Sequence, residues 1–360
     1  MLIRSFVLLA AAFLSLASPA SGQSETKRYL YMSMPDASQS QGRSGVGILV
    51  FDIDNGHKFV RRINIPIFEE GLRGFTGSLK THSVYYSTMN QRLGCFDLES
   101  EQVVWDRRYA AGCDRSSITM DGKKIYVPTG FWYAGDDSGF LVVNAENGKL
   151  IKRIHVGPKA HNSIVTLDGR YVLLGTDTML TMFDTRDERM IRQIKPVGES
   201  GVFPYTINSA NDTAFVCLGK HVGFDIVNLK NGKVTHRVLA GDEPIPHRTH
   251  GAALTPDEKE LWISDQRGRK LFIFDATKMP PTPKGHVELS MGGHGWVCFS
   301  LDGKYAWPHT PDIFDARTKE KVATFRDENG KPVCGSKFIE VHFRDGKVVA
   351  MSNEFGLGRK

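Results

Sequence analysis

The sequence predicts an all-β fold, a single β-propeller of seven four-stranded blades, and three observations point there. A hairpin signal recurs about every 45 residues, a second marker, most often Phe-Asp, follows the hairpins, and helical periodicity is nearly absent. Composition agrees. With 41% hydrophobic and 10% aromatic residues the chain is too apolar to be disordered, and 36 Gly in 360 residues is far from the share a triple helix needs. A surplus of Gly beside many Val, Thr, Phe and Tyr suits short strands joined by tight turns.

Residues 1–22 read as a secretory signal peptide. Arg4 supplies the positive start, 6–16 form a short apolar run, and Ala20-Ser21-Gly22 offers small residues for cleavage before about Gln23. The apolar run is shorter than the ~20 residues that span a bilayer, and no later stretch qualifies. The expectation is export to the periplasm or beyond, with 23–360 as a single propeller domain that is a monomer.

The repeat begins to show at Met120-Asp121-Gly122-Lys123-Lys124-Ile125-Tyr126-Val127. It returns at Leu167-Asp168-Gly169-Arg170, Pro256-Asp257-Glu258-Lys259, Leu301-Asp302-Gly303-Lys304 and Arg344-Asp345-Gly346-Lys347, with a degenerate copy at Ala210-Asn211-Asp212. Asp-Gly favours a hairpin because Gly takes positive φ without penalty and Asp can bond its own backbone. The flanking apolar runs are therefore paired strands. The second marker, as in Val50-Phe51-Asp52, Met182-Phe183-Asp184 and Ile273-Phe274-Asp275, reads as a third strand leading through a turn into a fourth.

Four strands per repeat make a propeller blade, and the length after position 22 divided by the period gives about seven, with six or eight as competing counts. The first blade spans 28–66, and six more begin near 71, 112, 159, 203, 247 and 292. The segment 338–343 is left over to complete the first blade and close the ring, which leaves 347–352 as a surplus strand. These hairpin and third-strand motifs resemble the YVTN and quinoprotein-like seven-bladed propeller superfamily over nearly the whole chain. The resemblance implies the fold and is silent on function, since such propellers include enzymes, electron-transfer domains and binding proteins.

Other signals exclude more than they assign. Cys95, Cys113, Cys217, Cys298 and Cys334 are odd in number and lack CxxC spacing, so no disulfide framework, zinc finger or covalent haem is implied. A net charge of +6 without a Lys/Arg cluster or an aromatic platform argues against a nucleic-acid partner.

Chemistry is expected where innermost strands converge on the ring axis. Counting back seven residues from the hairpin Asp gives Asp114, His161 and His250, and eight from the next two gives His294 and Lys337. Arg73 opens the corresponding strand of the second blade. We take His161, His250 and Tyr205 as catalytic candidates and Arg73, Arg115, Asn162, Arg248, His294 and Lys337 as substrate-binding candidates. Cationic side chains outnumber Asp114 in this set, which favours a carboxylate, and neutral His can take a proton near physiological pH. Divalent metal binding by Asp114, His161, His250 and His294 competes weakly, because no HxH or HExxH spacing fixes two ligands and nearby Arg and Lys oppose a cation. No cofactor is called for. Two functions follow. One is an exported lyase that cleaves an acidic oligosaccharide or polysaccharide next to a uronic acid, loosely similar to the propeller lyases of rhamnosyl-glucuronate and oligogalacturonate. The other is a non-catalytic propeller that binds a protein, a glycan or an envelope component.

Overall fold

A computed structural model describes residues 25–34, 44–65, 71–88, 90–130, 138–199, 204–292 and 295–353; the signal-peptide reading of 1–22 lies outside them. The described strands form seven antiparallel sheets. Blade 1 contains β1 (Lys27–Ser33), β2 (Ile48–Asp52) and β3 (Lys58–Ile63). Blades 2 to 7 are β4–β7 (72–108), β8–β11 (117–155), β12–β15 (162–194), β16–β19 (205–239), β20–β23 (249–288) and β24–β27 (297–324). The chain then returns to blade 1 as β28 (Lys337–Arg344) and β29 (Lys347–Met351).

The two sequence markers have separate structural jobs. At the first, Thr119 donates its hydroxyl to Asp121 at 2.6 Å, and the same Asp121 oxygen accepts from the Lys123 backbone N–H at 3.1 Å. Gly122 takes φ 71°, so the turn is a four-residue loop held by its own side chains. Thr166, Thr255 and Ser300 repeat the contact with Asp168, Asp257 and Asp302. Among the described residues, only Asp345 and Gly346, at φ 51° and 75°, form a two-residue turn with both centres left-handed. The second marker sits at a bulge. In all seven blades the pairing of the third strand with the fourth slips by one residue, at Val50/Phe51, Cys95/Phe96 and Met182/Phe183 among others. A bulge increases local right-handed twist, which each blade needs to present two different faces to its neighbours.

Seven apolar clusters fill the seams, one per pair of adjacent blades around the full circle. Ring closure is visible in the pairing of β1 with β28, from Lys27↔Phe343 to Ser33↔Lys337. Phe338 packs in the seam between blades 7 and 1, while Ile339 and Val341 pack in the seam between blades 1 and 2. The surplus strand expected at 347–352 is β29, which pairs with β28 on the edge away from β1 and so adds a fifth strand on the channel side. Lys347 reaches Glu99 of blade 2 at 2.8 Å. All five cysteines are free and buried. Among the described residues no helix is long and apolar enough to cross a membrane.

Burying an aliphatic or aromatic side chain contributes about 1.5–3 kcal/mol, so losing three at the closure removes a large part of a typical domain's 5–15 kcal/mol. A chain ending after Ser336 should therefore fail to melt cooperatively, whereas one ending after Arg344 should keep its β circular dichroism and melt a few degrees below the full chain. Equal melting of both would contradict the closure by β28.

Candidate site at the ring axis

The innermost strands share one register. Ser78, Thr119, Thr166, Thr255 and Ser300 mark equivalent turns, and five residues before them stand Arg73, Asp114, His161, His250 and Gly295. Four residues before them stand Gly74, Arg115, Asn162, Gly251 and Trp296. Lys337 belongs to the second layer, because it pairs with Ser33 in the register in which Asn162 pairs with Gly175.

Two glycines let these strands crowd together. A Cβ on Gly74 would lie 2.7 Å from the Asp114 carbonyl oxygen, and one on Gly251 would lie 1.9 Å from that of Gly295. Any side chain at these positions would push neighbouring blades apart. The residues just before them, Arg73 and His250, are thereby held against the next blade.

Side chains of both layers form one buried cluster; Arg73, Asp114, Arg115, His161, Asn162, His250, Trp296 and Lys337 are each at most 6% exposed. Arg115 Nη1 donates to Asp114 Oδ1 at 2.8 Å. The other carboxylate oxygen, Oδ2, lies 2.8 Å from His161 Nδ1. An ionised carboxylate only accepts, so the proton sits on Nδ1 and the imidazole lone pair on Nε2. Arg115 also lies 5.7 Å from the Trp296 ring centre, Lys337 Nζ stands 2.9 Å from that centre, and His250 meets the indole edge-on at 6.5 Å. Blades 3 and 7 are not neighbours, so the Arg115–Trp296 contact spans the axis.

Electrostatics sets the protonation states. Burial opposes ionisation of Asp114, but His161, Arg115 and Arg73 together hold its carboxyl well below the usual range. Arg115 and Arg73 are charged at every accessible pH, so they continue to favour the carboxylate when His161 is neutral. Burial, with Arg115 and Arg73 alongside, outweighs the pull of Asp114 and lowers His161 to about 4. At neutral pH the pair is a carboxylate and a neutral imidazole.

The candidates from sequence do not all meet here. Arg73, Arg115, His161, Asn162, His250 and Lys337 do. Tyr205 does not: it is buried in the seam between blades 4 and 5 and donates its hydroxyl to the Leu173 carbonyl at 2.8 Å, so its phenol serves packing. Arg248 is exposed just before β20, two residues ahead of His250, and His294 lies outside the described residues. Sequence reasoning gave no role to Trp296 or to Asp114 as the partner of His161. The signal for Trp296 was the second register, which puts an indole where two other blades carry Gly and two carry Arg115 and Asn162. Among the described residues no three His, Cys, Asp or Glu side chains come together as a metal would require.

A lowered His pKa gives stability a definite pH dependence. On acidification the unfolded chain takes up the proton first, near 6.5, and the folded chain only near 4, so stability is full above 6.5 and falls between those values. His57, lowered to about 4 by burial and accepting from the Trp307 indole N–H, contributes in the same window. Asp114 acts lower, its contribution being lost as pH falls below the ordinary carboxylate range. Unfolding free energy of His161→Gln measured from pH 7 to 4 should decline less steeply than the parent's, by about 1.4 kcal/mol per pH unit for the one proton removed. Parallel curves would mean that His161 titrates as it does in the unfolded chain.

No protein-family model matches the chain, and no curated protein matches it. Solved structures do. Hydrazine synthase of Kuenenia stuttgartiensis is similar over 68% of this chain and 76% of its own, at 17% identity and a TM-score of 0.57. Dihydro-heme d1 dehydrogenase NirN, solved in complex with DHE, is similar over 89% of this chain and 75% of its own, at 15% identity and a TM-score of 0.57. At such identities the likeness shows the fold: this chain is a seven-bladed β-propeller of four-stranded blades, closed by its C-terminal strands.

Proposed function

We propose that the axial cluster is an acid–base site for an anionic substrate, with His161 as the base. The observation that carries this is the 2.8 Å contact between Asp114 and His161 beside Arg115. A carboxylate that fixes an imidazole tautomer, next to a guanidinium able to pair with a substrate acid, is the arrangement that proton abstraction beside a carboxylate requires. In its specific form the protein is an exported lyase of acidic saccharides, the export resting on the leader-like sequence at 1–22.

The chemistry balances as a β-elimination. His161 Nε2 removes the proton next to the uronate carboxylate, and Arg115 with Arg73 stabilises the enolate-like charge that develops. The electron pair then forms the carbon–carbon double bond as the glycosidic carbon–oxygen bond breaks, and the leaving oxygen takes a proton from a second acid, for which we assign His250. Tyr205 takes no part. A second reading, a propeller that binds without catalysis, is favoured by the near-complete burial of the cluster and by the contacts of Arg115 and Lys337 with the Trp296 ring.

A screen of uronate-containing glycans should yield an unsaturated product that absorbs in the near ultraviolet. His161→Ala should lower turnover ~10²–10⁴-fold, the usual contribution of a positioned base, while keeping the parent's β circular dichroism. Because the base must be neutral, kcat/KM should hold from neutral pH downward and fall only on approaching about pH 4. Absence of product from every glycan, with binding undiminished in His161→Ala, would replace this reading with the non-catalytic one.

A further inference from the structure

Asn162 is the feature of the axis that acid–base chemistry leaves unused. It is fully buried, and neither its Oδ1 nor its Nδ2 has a hydrogen-bond partner among the described residues. Buried amides are almost always paired, so one with both ends unmet asks what it is built to meet. Its direction follows from register. Residues in one layer of equivalent strands point the same way, and the layer of Asn162 is that of Arg115, Trp296 and Lys337, whose side chains meet at the axis. The backbones of Arg115 and Asn162 are also bridged directly, which sets the amide beside the guanidinium.

A primary amide offers one acceptor and two donors side by side. A bare carboxylate supplies only acceptors, so it would serve Arg115 and leave Asn162 Oδ1 unmet. A hydroxyl next to the carboxylate supplies what is missing, giving its proton to Oδ1 while its own oxygen, or the next one, accepts from Nδ2. We propose that Asn162 is a specificity residue that reads a hydroxyl beside the carboxylate, so that the substrate class at the axis is a polyhydroxy acid and unhydroxylated acids are rejected. This rests on the reading of the axis as a site for an anion, but not on His161 being its base. Selection of this kind is sharp, because an analogue lacking the hydroxyl leaves a buried polar group unmet.

The test is calorimetric binding of two probes to the full chain, D-glucuronate and cyclohexanecarboxylate, which share a ring-borne carboxylate and differ in hydroxyls. The wild-type protein should prefer glucuronate by tenfold or more. Asn162→Leu, which keeps the forked shape and removes the hydrogen bonding, should bring that preference near unity, leave the affinity for cyclohexanecarboxylate unchanged and melt no lower than the parent. Asn162→Ala should lose the preference in the same way, which guards against a packing fault in the leucine variant. Equal binding of the two acids by the wild type, binding of neither, or an intact preference in both variants overturns the proposal. His161→Ala should keep the preference; if it does while no glycan is turned over, the acid–base reading fails and the role of Asn162 stands. Turnover that depends on His161 without discrimination between the probes sinks the role of Asn162 alone.

Discussion

Everything at the axis depends on one backbone pairing, that of β28 with β1. Without it the blades are an open arc with two exposed sheet edges, and the cluster of polar residues has no common centre. The pairing also delivers chemistry. Lys337 opens β28, so the strand that closes the ring is the one that carries an ammonium to the Trp296 ring. The strand that completes the two seams flanking blade 1 is thus the same one that completes the axial cluster.

The closed ring explains why charges can be buried so deeply. Desolvating an ion costs several kcal/mol unless partners compensate, and the axis supplies them from non-adjacent parts of the chain: Asp114 between Arg115 and His161, and an indole face toward Arg115 and Lys337. Close approach is needed for that compensation, and Gly74 and Gly251 permit it. The same crowding that lowers His161 therefore makes it a neutral acceptor rather than a surface cation.

Much of this was legible in the sequence and some was not, for physical reasons. Blade count, hairpins and closure could be read because a period-two strand with a fixed turn writes itself into the chain every 45 or so residues. The register of Arg73, Asp114, His161 and His250 was legible for the same reason, since equivalent positions must face one axis. Tyr205 misled because it stands two residues further along its strand than the position equivalent to His161, on the same face but where that face packs against blade 4, and its blade carries only a degenerate hairpin from which to count. The union of Asp114 with His161, and the reach of Trp296 to Arg115, depend on distances between blades that no periodicity encodes.

The central claim is that His161 is neutral at physiological pH, with its proton on Nδ1 toward Asp114 and its lone pair on Nε2. Nitrogen-15 chemical shifts of the imidazole, assigned by comparison with His161→Gln, report both the charge and the tautomer. The account predicts a neutral ring protonated at Nδ1 at pH 7, taking up its second proton only near pH 4. An imidazolium at pH 7, or a neutral ring protonated at Nε2, would contradict it.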